Sequence, residues 1–121
     1  MRAVLDTNIL IDHLNGVEQA EEELARYDER VISIVTWIEV LAGAPFGQET
    51  ALLRGILADF VIVPLSQEIG FRAADIRRSR RLRLPDAIIL ATAQHLGCLL
   101  VTRNTRDFPA DGVNVHNPYV Q

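Results

Sequence analysis

MRAVLDTNILIDHLNG, residues 1–16, is the stretch from which the rest of the chain is read. Arg2–Leu5 is a short apolar run that stops at an acid, Asp6, and reads as a strand. Asp6 or Thr7 can cap the helix that follows, where Ile9, Leu10 and Leu14 keep helical spacing until Gly16 stops it. A strand that ends on an acid and turns at once into a helix leaves a carboxylate at the carboxyl edge of a sheet. In open α/β sheets that edge is where ligands gather.

The alternation continues outward from this unit. Val17–Asp28 reads as a helix with Ala20, Leu24 and Tyr27 inward and Glu21–Glu23 mostly toward water. Val31–Val35 is β-branched apart from Ser33 and reads as a buried strand. Thr36 opens a helix to about Leu41, stopped near Gly43 and Pro45, and Glu49–Phe60 is the next helix. Val61–Leu65 is a strand, Ser66 caps a long helix to about Arg81, and Pro85–Leu96 is an apolar helix ended by Gly97. Cys98–Thr102 and Val113–His116 are the last strands, either side of an Asn/Asp/Pro/Gly-rich loop. Strands alternating with helices predict the α/β class: a parallel sheet covered by helices on both faces, here as a single domain over residues 1–121. No repeat, linker or low-complexity tract interrupts it.

Composition narrows the chemistry. Half of the 121 residues are hydrophobic (49%), enough for one real core. The lone cysteine, Cys98, excludes an intramolecular disulfide and a thiolate zinc cluster. No apolar run approaches a membrane span or a signal-peptide core, so the expectation is a soluble, cytoplasmic protein without membrane attachment. The net charge of −4 argues at first against a nucleic-acid partner, but its distribution is uneven. Residues 1–60 carry eleven acids and four arginines (−7), and residues 61–121 carry five acids and eight arginines (+3). All twelve basic residues are arginine.

Four acids stand out: Asp6 after the first strand, Glu39 a helical turn beyond the second, Asp86 in LPDAIILATA, and Asp107 beyond the strand at Cys98–Thr102. Each has a purely structural reading. Asp6 can be a cap and Asp86 a first-turn acid facing the helix dipole. Thr36 and Glu39 match a capping box, and Asp107 can be a turn residue beside Pro109. Topology alone does not bring Asp86 to the edge that the other three share. Gathered together, however, carboxylates repel one another unless a cation neutralises them. Oxygen ligands without histidine or cysteine favour Mg²⁺, with Mn²⁺ able to substitute. A metal-activated water can attack a phosphodiester, and the cation draws in a polyanion despite the acidic total.

The chain resembles the PIN-domain family, in particular its VapC-like toxin nucleases and their FitB-like relatives. The matching stretches are VLDTNILI at 4–11, SIVTWIEVLAG at 33–43, LPDAIILATAQHLG at 84–97 and LVTRNTRDF at 100–108, in the family's order. The resemblance implies a metal-dependent endoribonuclease with an acidic quartet. Asp6, Glu39 and Asp86 match its first three acids, and Asp107 in N-x-x-D-F is our choice for the fourth. Asn104 is the alternative at that position, through a metal-bound water. Asp6 and Asp86 are implied as direct Mg²⁺ ligands, with Glu39, Asp107 and Asn104 direct or through water. The resemblance also implies an RNA substrate, a cognate antitoxin, a homodimer and a larger toxin–antitoxin assembly.

Further residues are candidates for contact with substrate or partner. Asn8 and Thr102 can orient phosphate, or can satisfy local backbone groups instead. Arg77, Arg78, Arg80, Arg81 and Arg83 fall within seven residues. If helical, they form a solvated basic face; just ahead of Asp86, they can grip phosphate or an acidic antitoxin tail, with Arg103 and Arg106 adding to the rim. His13, His95 and His116 lack zinc-ligand spacing and read as surface or packing residues. Trp37, Leu41, Leu52 and Leu53 are candidates for an apolar interface.

Two other enzyme classes place an Asp after strand one beside Mg²⁺, receiver domains and haloacid-dehalogenase-like phosphatases. Both use a lysine, which this chain lacks, and the D-x-D of the phosphatases fails at Asn8. Two alternatives within the resemblance remain: a housekeeping PIN nuclease of RNA maturation, and a catalytically silent binding module. The cleavage sequence and the number of metal ions are not written in the sequence.

Overall fold

A computed structural model describes residues 1–43, 48–108 and 113–119. Its five strands are β1 (Arg2–Leu5), β2 (Glu29–Ser33), β3 (Val61–Val63), β4 (Leu99–Val101) and β5 (Val115–His116). They form one sheet in the order β3-β2-β1-β4-β5, with every neighbouring pair parallel. The described helices are α1 (Thr7–Leu14), α2 (Glu18–Ala25), α3 (Ile34–Ala42), α4 (Gln48–Leu57), α5 (Gln67–Ser79) and α6 (Leu84–Leu96). The expected α/β class and parallel sheet are observed. Among the described residues no helix is long and apolar enough to cross a membrane.

Both faces of the sheet are buried because successive strand residues point to opposite sides. Val4, Val31 and Leu100 pack on one face against Ile69, Ala73 and Ile76 of α5 and the buried run of α6. Ala3, Leu5, Ile32 and Val101 pack on the other face with Ile9 and Leu10 of α1, Leu24 of α2, Val40 of α3 and Leu57 of α4. Helix α6 is buried at every position from Ala87 to Ala93, which explains why its sequence is apolar all round rather than amphipathic. Its left-handed C-terminal residue, Gly97 (φ 63°), reverses the chain into β4.

Some boundaries differ from expectation, each for a local reason. The second strand runs over Glu29–Ser33, not Val31–Val35. The Ser33 hydroxyl accepts the Val35 N–H at 3.1 Å and starts α3 there, so a cap overrides the β-branched preference of Ile34 and Val35. Helix α5 stops at Ser79 rather than near Arg81, because Arg80 turns to extended backbone (φ −144°, ψ 159°). Glu23, expected toward water, is buried; the Tyr27 hydroxyl donates to it at 2.5 Å and Arg26 Nη1 at 3.1 Å. Pro45 lies outside the described residues.

Candidate active site

Asp6 closes β1 and caps α1, so the capping and site readings meet in one residue. Its Oδ1 accepts the Thr7 N–H at 2.8 Å, and its Oδ2 accepts from Thr102 Oγ1 at 2.6 Å and Asn8 Nδ2 at 3.2 Å. The side chain belongs to a residue only 5% exposed. Burial pushes its pKa up, hydrogen bonds from Thr102 and Thr7 pull it back, and the charges of Asp86 and Glu39 push it up again. The net result lies above the ordinary aspartate value.

Glu39 reaches the same place from α3. Since Ser33 caps that helix, the capping-box reading of Thr36 and Glu39 is overturned and Glu39 sits in the helix body. Its Oε1 accepts from Thr7 Oγ1 at 2.7 Å, while Thr7 Oγ1 also lies 3.1 Å from the buried Thr36 hydroxyl. Asp86 arrives by a different route. Helix α6 ends at Leu96 beside the start of β4 at Leu99, so it runs back against the strands. Its first turn, with Asp86, therefore returns to their carboxyl edge. There Asp86 Oδ2 pairs with Arg83 Nε at 3.3 Å.

The fourth position follows β4. Asn104 donates from Nδ2 to Asp107 Oδ2 at 2.7 Å, and its N–H bonds to Thr102 Oγ1 at 3.0 Å. Asn104 thus holds Asp107, and both face the site. Asp6, Glu39, Asp86 and Asp107 line one cleft of about 290 Å³ together with Thr7, Asn8, Ile11, Arg83 and Asn104.

The donor set tests what the cleft fits. Every strong ligand atom is a carboxylate oxygen, which suits a hard divalent cation. Among the described residues no three acidic, histidine or cysteine side chains close into a ready metal cage. Oxygen donors without imidazole or thiolate differ from the nitrogen and sulfur donors that Zn²⁺ sites favour.

A family model described as "PIN domain" matches residues 3–110. The chain belongs to the PIN domain family. Among solved structures this PIN domain is similar to a toxin–antitoxin complex from Klebsiella pneumoniae, with 43% identity and a TM-score of 0.88. That similarity covers 97% of this chain and 98% of the other. It is also similar to FitAcB from Neisseria gonorrhoeae, at 26% identity and a TM-score of 0.81 over 97% of this chain and 98% of that one. Its fold matches a DNA-bound VapBC from Salmonella typhimurium, at 21% identity and a TM-score of 0.82, with 98% of each chain covered. No curated protein matches the chain by sequence.

Other candidates fall differently within the PIN domain. Thr102 is fully buried behind Asp6. Its hydroxyl is occupied by Asp6, Asn8 and the Asn104 N–H, so it positions Asp6 rather than meeting substrate. Asn8 does face the cleft, while its Oδ1 accepts the Arg103 N–H at 3.3 Å. Arg103 is committed elsewhere: Nε lies 3.4 Å from Asp12 Oδ2, on which Tyr119 also donates at 2.8 Å. This tie between α1 and the segment after β5 was not anticipated, and its partners are too far apart in sequence to leave a local signal.

The arginine run is not one helical face. Arg77 and Arg78 occupy the last turn of α5, and Arg78 pairs with Asp75. Arg83 lines the acidic cleft, whereas Arg80 and Arg81 line a second cleft; Arg77 lines neither. Among the described residues no histidine lines the acidic cleft: His95 lies 3.5 Å from Glu68 and His116 3.5 Å from Glu23. Trp37 and Leu41 pack on the core, and Leu52 is exposed.

Proposed function

We propose that this chain is a single-domain, Mg²⁺-dependent endoribonuclease, the toxin of a toxin–antitoxin pair held in check by its cognate antitoxin. The observation that carries the nuclease reading is the convergence of four carboxylates from four separate segments on one cleft, with Asp6 buried at its base. The toxin role is supported by the 43% identity, across almost the whole chain, to the Klebsiella pneumoniae toxin–antitoxin complex.

In this reading Asp6 and Asp86 hold the ion directly, and Glu39, Asp107 and Asn104 hold its waters. Bound there, Mg²⁺, or Mn²⁺ in its place, supplies an acidified water and offsets negative charge on the phosphoryl oxygens. The protein contributes order. Thr7 N–H, Asn8 and Thr102 fix both oxygens of Asp6, and Thr7 Oγ1 fixes Oε1 of Glu39. Oε2 of Glu39 is then the oxygen left to take a proton from the attacking water. A homodimer, with the exposed Leu52 as one apolar contact, completes the proposal.

Digestion of total RNA with end mapping tests it. Cleavage is expected with Mg²⁺ and absent in EDTA or in Asp6→Asn. Intact RNA under all conditions would remove the nuclease reading. Co-purification with the product of an adjacent small gene, with cleavage lost in the complex, tests the toxin role.

A further inference from the structure

Beside the acidic cleft lies a second one of about 250 Å³, lined by Arg80, Arg81, Leu82, Arg106 and Asp107. The two share Asp107 as a wall. They are also bridged by one short segment, since Arg80 and Arg81 line the basic cleft and Arg83 lines the acidic one. Leu82, only 7% exposed, pins that segment into the core, so the arginines are carried on a fixed backbone. Arg80 extends from the end of α5 with its N–H still bonded to Ile76 O at 2.9 Å.

Charge and geometry together ask for a ligand that spans both clefts. Four carboxylates repel a phosphate until a cation is present, so a polyanion needs an attractive contact outside them. Guanidinium groups supply it, because their planar fork matches phosphate oxygens bidentately. Neither cleft is lined by an aromatic side chain among the described residues, so the arginines are the main means of attraction. Phosphate oxygens, present at every nucleotide, are the partner that the fork of the guanidinium matches.

We infer that the cleft of Arg80, Arg81 and Arg106 holds a backbone phosphate of the RNA strand, next to the phosphate that is cut at the carboxylates. This rests on the nuclease reading for its register, but the phosphate site itself is separable by experiment. Binding of a fluorescein-labelled single-stranded RNA is measured by anisotropy across a salt titration, in the non-cleaving Asp6→Asn protein. Adding Arg81→Ala and Arg106→Ala is expected to weaken binding to unrelated RNA sequences alike. The slope of log K against log salt should fall by about 0.7, the share of the one single-strand phosphate contact that is lost. Arg54→Ala, on the exposed face of α4, is the control and should leave the slope alone. Both cleft arginines are exposed, so melting temperature is expected to stay at the parental value.

An unchanged slope and Kd in the double arginine variant overturn the inference. So does loss of binding to a polyglutamate peptide with RNA binding intact, which gives the cleft to an acidic protein segment. A wild-type protein that fails to cut RNA, yet shows the arginine-dependent slope, supports the phosphate site and removes only the nuclease reading.

Discussion

Replacing Thr102 by valine isolates what one buried hydroxyl does for the site. Valine keeps the branched shape but deletes the donor that lies 2.6 Å from Asp6 Oδ2. A hydrogen bond to a charged group is worth about 1.5–3 kcal/mol. The Asn8 amide and Asn104 N–H also lose an acceptor, but neither group is fully buried and both can turn to water. The expected cost near neutral pH is therefore about 2–3 kcal/mol. For a chain of this size that is a fall in Tm of about 8–12 °C.

The pH dependence gives a sharper reading. The Asp6 pKa is raised in the fold, so its ionised form is disfavoured there and stability declines as pH rises through that value. The Thr102 bond opposes this, and its loss raises the pKa further. The stability deficit of Thr102→Val should then shrink on acidification toward the worth of a neutral hydrogen bond, about 0.5–1.5 kcal/mol. If Asp6 holds the metal as its carboxylate, as proposed, the acid limb of Mg²⁺-dependent RNA cleavage should move to higher pH. Chemical denaturation at several pH values and a pH–rate profile measure both. A deficit independent of pH, or an acid limb that stays in place, would refute the reasoning.

If Asp86 holds Mg²⁺ as proposed, Asp86→Asn should lower Mg²⁺-dependent cleavage of a defined RNA by at least about 100-fold, and a thermal melt with added Mg²⁺ should show a rise in Tm for the wild type that the variant lacks. Arg83→Gln removes an exposed pairing with Asp86, worth up to about 1 kcal/mol, so Mg²⁺ affinity by titration calorimetry should rise by up to about fivefold. Gly97→Ala should cost about 1–2 kcal/mol by urea denaturation, entirely as left-handed backbone strain, because a Cβ there meets nothing within 4 Å. Gly97→Asn should recover part of that loss.

Much of this architecture is legible from short-range chemistry. Asp6 could be placed at a strand end because the apolar run stops at it and the helical spacing of Ile9, Leu10 and Leu14 begins three residues on. Ser66 and Gly97 announce the ends of their helices, and the Ser66 hydroxyl does accept the Ile69 N–H at 3.1 Å. What the sequence hides are choices made by neighbours. Nothing local tells Ser33 from Thr36 as the cap of α3, yet that choice turns Glu39 from a capping partner into a wall of the cleft. Asp86 joins the cluster only because α6 returns along the sheet, a fact of connection rather than of residue type. Arg103 resembles Arg81 in sequence, but Asp12 claims its side chain from α1.

The position of β1 at the centre of the sheet has a consequence for synthesis. The strand leaves the ribosome before the other described strands, but its second flank stays open until β4 pairs beside it. Asp107, the last of the four acids, follows still later. A growing chain thus carries Asp6 and Glu39 before it owns a finished cleft. If the cleft cuts RNA as proposed, destructive competence arrives only once the segment beyond β4 is made, and an inhibitor made alongside has that interval in which to be ready.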